Sequence, residues 1–124
     1  MANAKQPPPP CPVSVNILGA SVRAAAFSAL RGGFVPVACD IFADMDLRAV
    51  ARFVELRGEY PAGFERALEE MEDAPFVYTG GLENHPEIVD RLAALRPLWG
   101  NNGGCLRRAR DPVRLAEALR DAGA

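Results

Sequence analysis

Lysine is almost missing from this chain: Lys5 is the only one, so every other member of the 14 Lys and Arg residues is an arginine. Arginine keeps its proton under all ordinary conditions, which excludes Schiff-base and lysine general-base chemistry from everything beyond residue 5. Histidine is as scarce. His85 stands alone, with no serine or cysteine beside it to act as a nucleophile. Cys11, Cys39 and Cys105 are odd in number and far apart, a spacing that fits neither a zinc site nor a disulfide framework and reads as reduced thiols in a cytoplasmic protein. No apolar run approaches the roughly 20 residues of a membrane span, and the N-terminus has no signal-peptide core. There is no excess of positive charge either. A net charge of -2 leaves no basic face for the phosphate backbone of a nucleic acid.

At 124 residues the chain suits one domain, large enough for a single core and too short for a catalytic domain plus a substrate domain. Residues 1–12 contain almost nothing apolar, and Pro7 to Pro10 run consecutively. Serial prolines favour an extended polyproline II conformation without internal hydrogen bonds, so this stretch is expected to be a disordered leader, with the folded domain spanning residues 13–124.

The stretch from Val13 to Arg23 organises the rest. Val13, Val15, Ile17 and Leu18 form a short β-prone run bounded by Pro12 and Gly19, and Ala25, Ala26, Ala29 and Leu30 then recur at helical spacing. Ser21 stands at the expected N-cap and Gly32-Gly33 close the helix. A strand, a tight turn and a helix place unpaired backbone N–H groups and the positive end of the macrodipole where an anion is favoured. Gly19 permits close approach, Ser21 offers a hydroxyl, and Arg23 a fork for a carboxylate or phosphate. The plainer alternative is that Gly19 and Ser21 only make the turn while Arg23 is solvated. A dinucleotide fingerprint needs three glycines, and Gly19-Ala-Ser-Val-Arg-Ala24 has one.

Phe34 to Cys39 predicts a second strand, weakened by Pro36. Asp40 then falls about 20 residues after the glycine turn, the place of a ribose-binding carboxylate in dinucleotide-binding domains. Alternatively, Asp40 and Asp44 cap a helical turn at residues 46–49. Val50 to Leu56 reads as an edge strand. Tyr60-Pro61 opens a helix whose inward stripe is Phe64, Leu68 and Met71, with Glu65, Glu69, Glu70 and Glu72 on its solvated face. Pro75 to Thr79 is the fourth strand and Leu98 to Gly100 a short fifth. Two further polar, glycine-bearing turns follow them: Thr79-Gly80-Gly81-Leu-Glu83-Asn84-His85, and Asn101 to Gly104. In open α/β sheets, ligands bind outside the C-terminal ends of the strands, where all three turns are expected. The last helix carries Val113, Leu115, Ala116 and Leu119 on one face.

Four of these segments come together in one order: Gly19-Ala-Ser-Val-Arg-Ala-Ala-Ala-Phe-Ser-Ala-Leu-Arg31, Asp40-Ile-Phe-Ala-Asp44, Tyr78-Thr-Gly-Gly-Leu-Glu-Asn-His-Pro86 and Pro97-Leu-Trp-Gly-Asn101. That order resembles the N-terminal segment of a group of bacterial ATP-grasp proteins related to carbamoyl-phosphate synthase and biotin carboxylase. The resemblance implies a pre-ATP-grasp domain: a three-layer, Rossmann-like α/β fold, its mostly parallel sheet of about five strands flanked by helices, forming one wall of a substrate cleft. Members of the family couple ATP hydrolysis to joining a carboxylate to an amine or similar nucleophile through an acyl phosphate. By the same resemblance ATP and magnesium sit on a separate downstream ATP-grasp domain, so no cofactor is expected in this chain and activity alone is not expected. Carried over by position, Gly19, Ala20, Ser21, Thr79, Gly80, Gly81, Glu83, Asn84 and Asn101 face a small-molecule carboxylate substrate, and Arg23 anchors it. No residue is given a catalytic role, and no metal ligand is assigned.

Two other readings stand beside this one. The first is an independent Rossmann-type nucleotide-binding module, with the Gly19 turn on a phosphate and Asp40 on a ribose. The second is a protein-interaction module that docks a partner through its proline-rich leader or exposed loops. A surface that normally meets other domains also pairs readily with itself, which puts a homo-oligomer among the expected partners.

Overall fold

The computed structural model describes residues 12–124; the expected leader, apart from Pro12, lies outside the described residues. Four strands, β1 (Ser14–Leu18), β2 (Val35–Cys39), β3 (Arg52–Phe53) and β4 (Phe76–Tyr78), form one sheet in the order β3-β2-β1-β4, with every pairing parallel. Parallel strands need crossovers, supplied here by α1 (Arg23–Arg31), α2 (Met45–Val50) and α3 (Gly63–Glu70). After β4 come a 3-10 turn (Leu82–Asn84), α4 (Pro86–Leu95), α5 (Gly103–Ala109) and α6 (Pro112–Asp121).

Alternation along the strands divides the core in two. Leu18, Val37, Cys39 and Phe76 pack with Phe64, Ala67, Leu68 and Met71 of α3, Ile88, Val89 and Leu92 of α4, and Leu106 of α5. Val15, Ile17 and Ala38 face the other way, onto Val22, Ala26 and Leu47 beside α1 and α2. Helices therefore cover both faces of a parallel sheet, the three-layer arrangement such sheets require. Pro36 sits in a central strand without cost. Val35 N–H bonds the Val13 carbonyl at 3.0 Å, so the position with no N–H points toward β3, which begins only opposite Val37.

Several expectations are corrected. The fifth strand shrinks to an isolated bridge between Phe76 and Leu98: Pro97 has no N–H to extend the ladder, and Gly100 with Asn101 turns the chain away. The Val50–Leu56 strand is only Arg52–Phe53, because α2 continues through Val50. α3 starts at Gly63 rather than at Pro61. There a Cβ would press on the Arg57 carbonyl at 2.7 Å. Ser21 does not cap α1, whose N-cap is Val22 with no side-chain bond from its own residue. Asp44 is the N-cap of α2 but makes no side-chain cap bond, and Asp40 does not cap that helix. The apolar residues of α6 are not packed: Val113 is 64% exposed, and Leu115 and Leu119 are each 49% exposed. Among the described residues, no helix is long and apolar enough to cross a membrane.

Candidate functional site

The turns after β1, β2 and β4 meet at the C-terminal ends of the strands and are tied to one another by backbone bonds. Ala20 N–H donates to the Gly80 carbonyl at 3.1 Å, Ile41 N–H to the Ala20 carbonyl at 3.3 Å, and Thr79 N–H to the Leu18 carbonyl at 2.8 Å. The Thr79 hydroxyl donates to the Ser21 carbonyl at 2.9 Å. This approach explains Gly19, since a Cβ there would collide with Thr79 Oγ1. Gly81 adopts φ 105°, and a Cβ on it would strike the Tyr60 hydroxyl. Its N–H donates to Glu83 Oε2 at 2.6 Å, which closes the turn. Asn101 joins through its carbonyl, which accepts from the Tyr78 hydroxyl at 2.6 Å. Gly19, Ala20, Ser21, Thr79, Gly80, Gly81, Glu83, Asn84 and Asn101 thus lie along one rim.

Asp40 is 2% exposed, and three backbone amides converge on it. Oδ2 accepts from Val22 N–H at 3.0 Å, while Oδ1 accepts from Phe42 and Ala43 N–H at 3.0 and 2.8 Å. One carboxylate fastens the start of α1 to the loop after β2, satisfying an amide that the helix cannot. The serine expected as the cap takes no part in this bond. With three amides on its two oxygens and only 2% of the residue exposed, Asp40 is turned inward rather than open to a ribose. Arg23 is also engaged: its guanidinium pairs with Asp46 and lies 5.5 Å from the Phe27 ring centroid. The Asp46 side chain holds the Arg23 pKa above its ordinary value, but the pair is exposed and open to competition from solvent and salt.

Three features of the rim escaped the sequence reading. Arg110, at the end of α5, donates from Nη1 to Asn84 Oδ1 at 2.6 Å. Tyr60 reaches in beneath Gly81 with its ring edge-on to His85, 5.9 Å between centroids; burial first, and then the Glu83 charge, push its phenol above the ordinary value. Neither is near the glycine turns in sequence, so only the fold brings them together. The third is an exposed apolar loop, in which Ile41, Phe42 and Met45 are all exposed, Met45 by 90%. Three large apolar side chains following a buried carboxylate are a signal that could have been read from Asp40-Ile-Phe-Ala-Asp-Met45. Cys39, directly before Asp40, is fully buried, and that burial pushes its thiol up to about 12, so it carries no thiolate chemistry. Among the described residues, no group of three His, Cys, Asp or Glu side chains converges as a metal site.

The fold is shared with part of larger proteins. No family model matches the sequence, and no curated protein does. Among solved structures, the ADP complex of an N5-carboxyaminoimidazole ribonucleotide synthetase superposes with a TM-score of 0.64 at 20% identity, covering 90% of this chain. The Staphylococcus aureus N5-carboxyaminoimidazole synthetase complexed with ADP gives 0.62 at 22% identity, again over 90% of this chain. The chain has the Rossmann-like fold of one part of these synthetases. It spans only 29% and 30% of their lengths.

Proposed function

We propose that the chain is the N-terminal, substrate-facing domain of a cytoplasmic ATP-grasp ligase that joins a carboxylate to an amine or similar nucleophile, and that it turns over nothing alone. The observation that carries this reading is the coverage. Nearly all of this chain superposes on under a third of two synthetases solved with ADP, and the four-motif resemblance points to the same kind of enzyme. The rim supports it further. Three stitched turns present backbone groups, the Ser21 hydroxyl and Glu83, but no lysine to grip a triphosphate. Beside them Ile41, Phe42 and Met45, and on α6 Val113, Leu115 and Leu119, expose the kind of apolar surface that another domain covers. In this reading the rim is one wall of a cleft, the downstream ATP-grasp domain with its ATP and magnesium is the other, and a small carboxylate lies between. The burial of Asp40 against three backbone amides favours this over a stand-alone dinucleotide module.

The test is complementation. Mixing or fusing the chain with the downstream ATP-grasp domain is expected to give carboxylate-dependent ATP turnover that neither part shows by itself. Turnover by the 124 residues alone would overturn the proposal.

A further inference from the structure

An anionic substrate on the rim needs a cation there, and Arg23 is not free to be it, because Asp46 already neutralises its guanidinium. Every aspartate and glutamate of the sequence lies within the described residues. Arg31, Arg48, Arg108, Arg110 and Arg120 have none of these carboxylates within 4.0 Å. Arg31 ends α1 at the far end of the sheet, and Arg120 lies in the last turn of α6. Arg48 stands 5.7 Å from the Phe53 ring centroid, and Arg108 reaches the Cys105 sulfur at 3.6 Å. Arg110 is the member of this group that is bonded to the rim, and its acceptor there is a neutral amide, Asn84 Oδ1.

We propose that Arg110 holds the oxyanion, carboxylate or phosphate, of the substrate that lies along the rim, an assignment that rests on reading the rim as one wall of a cleft. Its Nη1 bond to Asn84 leaves the Nε and Nη2 edge without a partner among the described residues, and that edge is the fork that takes two oxygens of one anion. Because Asn84 is neutral, the bond orients the guanidinium without spending its charge. Both ends of the bond belong to fixed elements. Leu106 anchors α5 in the core, the Arg110 N–H donates to the Leu106 carbonyl at 3.0 Å, and the Asn84 N–H donates to the Gly81 carbonyl at 3.2 Å. The neighbouring carboxylates are committed elsewhere. Asp111 Oδ1 accepts from Val113 and Arg114 N–H at the start of α6, at 3.0 and 3.3 Å, and Glu83 closes its own turn on Gly81 N–H. A fork held in place at the rim, with its charge unspent, is what an incoming oxyanion requires.

The test follows the arginine Nε–H signals of the isotope-labelled full chain by NMR during titration with inorganic phosphate and, separately, with acetate, at ionic strength held constant with chloride. The Arg110 signal is expected to shift saturably, with half-saturation in the millimolar range, while Arg31 and Arg120 drift without saturating and Arg23 stays still. Saturation by phosphate alone identifies a phosphate-bearing substrate and saturation by acetate alone a carboxylate; either supports the assignment. In Arg110→Gln, half-saturation read on the backbone amides of residues 79–84 is expected to rise about tenfold or more, the loss of a hydrogen bond to a charged group. An Arg110 signal that responds to neither anion more than Arg31 and Arg120 do would overturn the proposal, as would loop amides that saturate at the parental concentration in Arg110→Gln. The titration needs neither a second domain nor turnover. Saturation at Arg110 without complementation would therefore overturn the ligase reading alone, and complementation with an unresponsive Arg110 this assignment alone.

Discussion

Asp40 makes the sharpest stability prediction because its replacement by asparagine keeps the shape and changes one donor. In Asp40→Ala all three amides lose their acceptor. Phe42 is exposed and Ala43 half-buried, so water can reach those two. Val22 is fully buried, and its N–H would be stranded at the positive end of α1. A buried donor left unmade costs about 1–3 kcal/mol, which puts Asp40→Ala about 1–3 kcal/mol below the parent. In Asp40→Asn the remaining oxygen can serve Phe42 and Ala43, but the new NH2 faces the Val22 N–H, donor against donor. The isosteric variant is therefore expected to recover less than half of the loss. For a chain of this size each kcal/mol moves Tm by about 3–5 °C, so Asp40→Ala should melt about 3–15 °C lower and Asp40→Asn by more than half as much. Urea titration followed by far-ultraviolet dichroism gives the free energies independently of the melt. An Asp40→Asn protein within about 0.5 kcal/mol of the parent would show that the Val22 bond does not hold the rim, and would refute the argument.

Gly19→Ala is expected to destabilise by about 1–3 kcal/mol through the collision with Thr79, and Thr79→Ala in the same chain to recover part of it; a double-mutant cycle in urea reads the coupling. Burial raises the Cys39 thiol from 9.0 to about 12, so the unfolded chain ionises first as pH rises. The contribution of this thiol is intact below pH 9 and is lost as the pH climbs toward 12, a decline that Cys39→Ala should flatten in stability measured from pH 7 to 11. Leu115→Glu with Leu119→Glu is expected to leave the stability of this chain within about 0.5 kcal/mol, since neither residue is buried. In the complementation assay the same pair should weaken association with the ATP-grasp domain.

Much of this was legible in the sequence. Strand, turn and helix at residues 13–31 follow from an apolar run broken by Gly19 and an alanine-rich period after it, and the stripes of α3 and α4 follow from Phe64, Leu68 and Met71 and from Ile88 and Leu92. The rim could be placed because turns after parallel strands gather at one end of a sheet. The failures have local causes. Ser21 has the right chemistry for a cap, but Val22 takes the N-cap position and its amide is held by a carboxylate 18 residues away, which no spacing rule announces. Leu98 to Gly100 has a strand's composition without the backbone donors to continue one. Arg23 looked free because Asp46, on another helix, becomes its neighbour only in three dimensions. The apolar face of α6 obeyed its periodicity and still found nothing to pack on within the described residues. Periodicity reports a face that requires cover, and not where the cover comes from.

The central claim is that the rim is half of a cleft completed by a second domain, and amide hydrogen exchange tests it most directly. Exchange is compared for the chain alone and for the chain bound to the downstream ATP-grasp domain. The account predicts new protection in residues 19–21, 41–45 and 79–84, with the solvated face of α3 unchanged. Protection falling on α3 while those three loops exchange as fast as before would contradict it.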